Sequence, residues 1–305
     1  MVVLPELGLQ YALATWLVAR LTGAVHWVDH FVGMYETNIL DWRERSPRSP
    51  KALAYLAGDW LSSAVADVVT SDTDVRVERL RRHAGRRTRF FTLPVGAPHW
   101  AAQRSRPRGE NGRQTVLFYG NYLPLHGVPL ILDGFARVVM RDSEVVLRMI
   151  GDGRLRAGAE DYAAELGLAE AVDFVDPVSA DVLAAALAEA DVVLGVFGES
   201  PKAATVIANK VWQGLAAERP VLTRESPALD EIREAVGGWL IEVEAGSPEA
   251  LAEALTSALR ESPRGPQGVA DELERYVARR YDAFFAGLFV PSPLTPAMSN
   301  ERGRR

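Results

Sequence analysis

From Thr115 onward the chain alternates short apolar runs with amphipathic stretches. The runs at 115–119, 144–150, 171–175, 191–197, 219–223 and 238–243 have the length and continuity of strands buried on both faces. Helical spacing covers 128–141, 155–167, 179–190, 203–217, 227–236 and 247–261 between them. Ser179 before Ala180-Asp181, and Ser247-Pro248-Glu249, mark helix starts, because a hydroxyl caps free amides and proline fits the first turn. Repeated βα units of this size predict a doubly wound parallel sheet with helices on both faces.

The first hundred residues keep this alternation less regularly. Leu9–Leu21 and Lys51–Ala66 read as helices, and Ala24–Asp29, Asp67–Ser71 and Phe90–Val95 as strands, with a short one at Val2-Val3-Leu4. Three or four strands make a thin sheet, so the domain is expected to be truncated, without its opening βα units. The predicted fold class is α/β, with two Rossmann-like doubly wound domains. The predicted boundaries are a partial first domain at 1–96, a linker at 97–113 and a second domain at 114–265. A helix at 266–290 is expected to pack back on the first domain, with a disordered tail at 291–305.

Composition adds exclusions. Of 305 residues, 48% are hydrophobic and 24% charged, the balance of a globular chain. There is no cysteine, which excludes disulfides and thiolate metal sites. No apolar stretch approaches the roughly 20 residues of a membrane span, and no secretion signal is recognisable, so a cytoplasmic location is expected. A net charge of −6 argues against nucleic acid as a partner. Arginines crowd the interval from Arg76 to Arg113. They read as a solvated helix face plus linker, or as a peripheral contact with anionic lipid at the inner membrane face. Only Lys51, Lys202 and Lys210 are lysines. Two of these fall close together, and a lysine supplies a compact, mobile charge, so 202–210 is a candidate anion site.

Open parallel sheets bind ligands beyond the carboxyl ends of their strands. The predicted strands of the second domain are followed there by Gly120-Asn121 through His126-Gly127, by Gly151-Asp152-Gly153-Arg154, by Asp176-Pro177-Val178, and by 196–202. A helix start near Val206–Asn209 would add free amides and a partial positive charge. Each feature has a plainer explanation: tight turns for the glycines, a loop hydrogen bond for His126, a snorkelling side chain for Lys210. Their recurrence along one sheet edge points to an anion such as a diphosphate.

Val116–Arg154 also resembles the donor-binding half of glycosyltransferases of the GT-B fold, family 4 (the group 1 type). Those enzymes carry Gly-Arg after a strand, a loop ending Pro-x-Lys-Gly, and later Gly-x-Gly-Pro. Here stand Gly120-Asn121, Pro124-Leu125-His126-Gly127 and Gly151-Asp152-Gly153. The segment from Asn209 to Val221 resembles the family's Lys-x-x-Glu-x-x-Ala-x-Gly-x-Pro-Val. Lys202, Val206-Ile207 and Asn209-Lys210-Val211 are similar to a subgroup with a Pro-Leu-His-Gly loop. In the first domain, Ala66–Ser71 and Leu93–Ala97 resemble the late part of the family's N-terminal domain.

The resemblance implies a nucleoside diphosphate sugar as co-substrate, with no other cofactor and no metal. Gly120, Asn121, Gly127, Lys202, Val206, Ile207 and Lys210 would surround the diphosphate. Gly151, Asp152, Pro177, Val178 and Gln213 would hold the nucleoside, Gln213 at the ribose. His126 would act catalytically as a cation in place of lysine, making donor affinity titratable. In the first domain Asp29 or His30 would be the catalytic polar group, with Tyr35-Glu36-Thr37 and Thr70–Asp74 as further polar positions. The implied reaction is retaining transfer of a hexosyl group to a glycan, lipid or lipid-linked acceptor, in cell-surface polysaccharide or glycoconjugate synthesis. Asn121, His126 and Gln213 replace the family's usual arginine, lysine and glutamate. A non-catalytic nucleotide-sugar-binding or partner protein is the alternative, and a sugar-nucleotide epimerase on the same architecture is a third.

Overall fold

A computed structural model describes residues 1–82, 84, 87–102, 113–261, 265 and 268–288. Two parallel sheets organise it. The first joins β1 (Val2–Leu4), β2 (His26–Asp29), β3 (Val68–Ser71) and β4 (Arg89–Thr92) in sequential order. Helices α1 (Ala12–Thr22), α2 (Pro50–Ala64) and α3 (Asp74–Arg81) make the crossovers. Asp59 on α2 accepts from the amides of Met34 and Tyr35 at 2.9 and 2.8 Å, anchoring the loop that leaves β2. That loop continues as a π-helical turn, Glu36–Asp41.

The second sheet has six strands in the order β10-β9-β8-β5-β6-β7. They are β5 (Gln114–Tyr119), β6 (Val145–Ile150), β7 (Val172–Val175), β8 (Val192–Leu194), β9 (Val221–Arg224) and β10 (Leu240–Val243). Helices α4 (Val128–Val139), α5 (Arg156–Glu165), α6 (Ala180–Glu189), α7 (Asn209–Ala216), α8 (Asp230–Val236) and α9 (Pro248–Arg260) cover both faces. Winding reverses between β5 and β8, the adjacent strands from which the chain departs in opposite directions. Gly120–Gly127 and 196–208 follow the strands on either side of that switch point, where such a sheet binds ligands. The two faces hold separate cores, one around Phe118, Phe135 and Leu147, the other around Leu117, Trp212 and Leu215.

The predicted helix over 203–217 is half as long in the structure, beginning only at Asn209. Thr205, Val206 and Ile207 disfavour helix through their branched Cβ atoms. Long-range contacts also hold 200–205 in a separate turn. The predicted strand over 191–197 is likewise shorter, at Val192–Leu194.

Part of the expected linker is packed structure. His99–Ala102 forms a 3-10 turn whose Ala101 is buried against the second domain's core. Residues 103–112 and the expected tail at 291–305 lie outside the described residues. The last helix, α10 (Val269–Leu288), serves both domains. Val269, Leu273 and Tyr276 pack in the second domain's core, where Tyr276 stacks on Trp212 at 6.2 Å. Phe284 and Leu288 pack against Val68 of the first sheet, and Phe284 lies 5.0 Å from Trp27 and 5.3 Å from Phe91. Phe284→Ala should cost about 3 kcal/mol. The check is thermal unfolding, where the first domain's transition should move down and the second domain's stay put.

Some arginines expected to face lipid are used internally. Arg76 is buried between Glu36 at 2.8 Å and Asp72 at 3.0 Å. Arg89 donates to the carbonyl oxygen of Gly287 at 2.7 Å. Among the described residues, no helix is long and apolar enough to cross a membrane.

Candidate functional site at the sheet switch point

The β5 loop is shaped by two left-handed glycines. Gly120 has φ 131° and Gly127 φ 64°. Between them Pro124–His126 makes one 3-10 turn, with Gly127 N–H donating to Pro124 O at 3.1 Å. The loop after β8 is laced to it by Phe197 N–H to His126 O at 3.1 Å and Gly198 N–H to Leu125 O at 2.9 Å. Beside them, Gly151 packs so closely that a Cβ there would lie 2.2 Å from Gly120 O. A Cβ on Gly153 would lie 2.7 Å from Tyr122 N.

Lys210 and His126 converge on this loop. A Cβ built on Gly120 would lie 3.5 Å from Lys210 Nζ and 3.6 Å from His126 Cε1. Lys210 is 4% exposed, and its ammonium has no hydrogen-bond partner. Its neighbour is the face of Phe118, with Nζ 4.3 Å from the ring centroid. Burial lowers its pKa from 10.5 to about 7. A buried, unpartnered cation of this kind marks a place built for an anion.

The imidazolium expected at His126 is corrected. Burial, then the charge of Lys210, lowers its pKa to about 2, so the ring is neutral. Leu123 N–H donates to its Nδ1 at 3.4 Å, and Phe118 meets the ring edge-to-face at 5.4 Å. His126 therefore braces the loop as a neutral group, and the charge stands at Lys210.

The other expected diphosphate residues divide. Asn121 is exposed on the loop. Val206 and Ile207 turn their side chains into apolar clusters, leaving only main chain for a ligand. Lys202 reaches across to the first domain, donating to Thr37 Oγ1 at 3.0 Å. Its pKa is lowered, by burial first and then by Arg76.

On the nucleoside side, Asp152 is exposed and accepts from Gly153 N–H at 2.7 Å. Pro177 is exposed, and Val178 packs at the margin of the second core. Gln213 Oε1 accepts the hydroxyl of Tyr119 at 2.7 Å, so its carbonyl is already engaged and its amide group remains to donate.

Asp29 and His30 part company in the first domain. Asp29 is partly buried at the end of β2, where Thr70 Oγ1 donates to its Oδ1 at 2.9 Å, and Trp27 Nε1 donates to that hydroxyl at 3.0 Å. Burial raises its carboxyl pKa, and the Thr70 bond opposes this. His30 is sealed, 4% exposed, with neither ring nitrogen hydrogen-bonded. Its ring lies under the 33–36 turn, with Cε1 3.4 Å from where a Gly33 Cβ would stand, and burial lowers its pKa to about 4.

The seam joins residues that the sequence reading does not single out, Asp41, Trp42, Glu44, Glu231 and Tyr276, and residues in stretches that it does, Thr73, Asp74, Ser200 and Arg154. Asp41 accepts from Ser200 at 2.7 Å, and Thr73 donates to Thr205 O at 2.8 Å. Arg154, after β6, lies 4.5 Å over the Trp42 ring and 3.5 Å from Glu44. On the far side, Glu231 of α8 accepts from Asp74 N–H at 2.5 Å and from Tyr276 at 2.9 Å. Asp41, Trp42, Glu44, Glu231 and Tyr276 belong to no motif, so no local signal could have found them. Among the described residues, no group of three or more His, Asp or Glu is arranged to hold a metal ion.

Two kinds of comparison bear on this geometry. Residues 113–261 match the family model described as Glycosyl transferases group 1. Among solved structures, HepE of Anabaena in complex with UDP and glucose has a TM-score of 0.67 at 12% identity, over 94% of this chain and 77% of that one. A UDP-forming α,α-trehalose-phosphate synthase from Burkholderia xenovorans gives 0.66 at 14% identity, over 92% and 71%. TarM of S. aureus, in complex with UDP, gives 0.63 at 12% identity and covers 93% of this chain. This chain spans 52% of TarM's length. No curated protein sequence matches the chain. The two Rossmann-like domains share the GT-B fold of these structures, and the family match lies over the second domain. The matched stretch runs from β5 to α9 and carries Gly120, His126 and Lys210.

Proposed function

We propose that this chain transfers a hexosyl group from a nucleoside diphosphate sugar to a hydroxyl acceptor, with retention of configuration. The observation that carries the reading is Lys210, a buried ammonium without a hydrogen-bond partner, set against Gly120 at the switch point. A diphosphate there would lie on the main chain of 120–121 and 206–210, neutralised by Lys210 and close to the start of α7. Gln213 would donate its amide to a ribose hydroxyl, with Gly151, Asp152, Pro177 and Val178 bordering the nucleoside.

In the transfer step the bond between the sugar's anomeric carbon and the diphosphate breaks as Lys210 stabilises the departing charge. The acceptor oxygen bonds to the same face, and its proton passes to the leaving phosphate. Asp29, partly open and held by Thr70, suits contact with the acceptor hydroxyl better than the sealed His30. We assign the chain to the family 4 subgroup with the Pro-Leu-His-Gly loop. A glycan or lipid-linked acceptor, a role in surface polysaccharide or glycoconjugate synthesis, and a cytoplasmic location with peripheral membrane contact complete the proposal. No metal or further cofactor has a part in it.

Calorimetry with UDP-, GDP- and dTDP-glucose tests the reading, and one of the three should bind. Binding by none would remove it. Binding without donor hydrolysis or transfer would favour a nucleotide-sugar-binding protein, the second reading. The anomeric configuration of a product, read by NMR, checks retention.

A further inference from the structure

The π-helical turn Glu36–Asp41 of the first domain lies against the loops that carry the proposed donor site. Asp41, at its end, is 4% exposed. Its Oδ1 accepts the Ser200 hydroxyl at 2.7 Å, and Ser200 Oγ accepts from Ala203 N–H at 3.2 Å, which closes the turn after β8. Its Oδ2 is buried with no hydrogen-bond partner. Burial pushes the carboxyl's pKa up, while Ser200, Lys202 and the Leu125 amide push it down, and Glu36 also faces it. Asp41 thus reaches the loop after β8 through Ser200, and that loop is bonded in turn to the one after β5, with Gly198 N–H donating to Leu125 O at 2.9 Å.

Those loops move as one body. A Cβ on Gly198 would lie 2.6 Å from Leu125 O, so the two main chains are already in contact. Any shift of Ser200 is passed on to Leu125–Gly127, and through them to His126 and Gly120. The first domain holds the same loop three times more, through Thr37 to Lys202, through Thr73 to Thr205 O, and through Glu36, which accepts from the Thr205 hydroxyl at 3.4 Å. Of the two carboxyl groups in this set, Asp41 is the one sealed from solvent, a costly choice unless its several acceptor sites are used.

We propose that Asp41 is a positioning residue of the donor site: through Ser200 it holds the loop after β8, and with it the β5 loop bonded to that loop, in register, so the site is complete only while the two domains are in contact. The proposal rests on the reading of 120–127 and 206–210 as a diphosphate site. Asp41 acts through these loops and contacts no ligand.

The test uses the full chain and calorimetry with UDP, GDP and dTDP, well below the unfolding temperature of every variant. Asp41→Ala and Ser200→Ala should each weaken binding of whichever diphosphate the wild type takes by about tenfold. The double variant should bind no more weakly than either single one, since both remove one interaction. Asp41→Asn, with one acceptor oxygen left, should fall between wild type and Asp41→Ala. A merely structural role would lower the melting temperature and leave the affinity of the folded variants unchanged, and that result overturns the proposal. Additive losses overturn it as well. If the wild type binds none of the three, the donor-site reading falls first and takes this one with it, a failure visible before any substitution is made.

Discussion

Lys210→Met should lower affinity for the nucleotide sugar by about two orders of magnitude, the usual scale for a buried charge-assisted contact. It should also remove the pH dependence of binding. In the free protein the Lys210 ammonium has a pKa lowered to about 7 by burial. A bound diphosphate favours the charged form and raises that pKa, so binding takes up a proton where the free amine is neutral. Wild-type affinity should be level below pH 7 and fall by up to about tenfold per unit above it. Nucleotide sugars suit the measurement because their diester phosphates do not titrate in this range. A level profile from pH 6 to 9 would remove Lys210 from the diphosphate.

From His126 the sequence leads to a dependence of the same sign in a more acidic range, a gain in affinity as an imidazolium forms on acidification. With its pKa lowered to about 2, His126 has no charge to gain in this range. Stability gives an independent reading of the same lysine. Its folded pKa lies below the 10.5 of an ordinary lysine, so the ammonium opposes folding. That penalty is full below about pH 7, where both states are charged, and disappears as pH rises past 10.5. Lys210→Met should therefore be more stable than wild type at pH 6, by roughly 5 kcal/mol at most, and equal to it near pH 11. A gain in stability joined to a loss of binding would mark a residue kept for function.

Gly127→Ala should be among the most damaging single methyl groups in the second domain. Gly127 has φ 64°, where an alanine costs about 1 kcal/mol. Steric overlap costs more. A Cβ there would lie 2.5 Å from Phe197 C and 2.6 Å from Gly198 N, and both are main-chain atoms that cannot rotate aside. The two loops would have to separate, breaking the bonds from Phe197 N–H and Gly198 N–H to the β5 loop. A loss of about 3 kcal/mol or more is expected, with the donor site opened. Gly167→Ala is the control, since Gly167 has φ 72° and nothing within 4 Å of its Cβ position. Denaturant unfolding of both variants isolates the clash. Equal losses would mean that the close approach of the two loops does not exist.

The parts of this fold that were readable share a physical cause. All six strands of the second sheet were found because strands buried on both faces must be apolar along their whole length. Four of their twelve ends agree and the others differ by one to three residues, the largest where apolar character continues past the last ladder bond at Val196 and Phe197. The start of α7 was misplaced because spacing alone does not register that Ser200, Lys202 and Thr205 are held by residues from the other domain. Gly120, Gly127 and Gly151 were legible as turn glycines. That Gly151 packs onto Gly120, and Gly127 onto Phe197, is a fact about main chains distant in sequence.

The sequence by itself determined the alternation of βα units, hence the parallel sheets, and the loops that must lie at their carboxyl edge. It also placed Lys210 and His126 among the candidates. Tertiary structure decided which of them is charged, because a pKa depends on burial and neighbours, and those come from packing. It sealed His30 beneath Gly33, turned Lys202 toward Thr37 and brought Asp41 to Ser200 across the seam. Each of these is an encounter between residues far apart in the chain, and such pairings leave no periodic trace in the sequence.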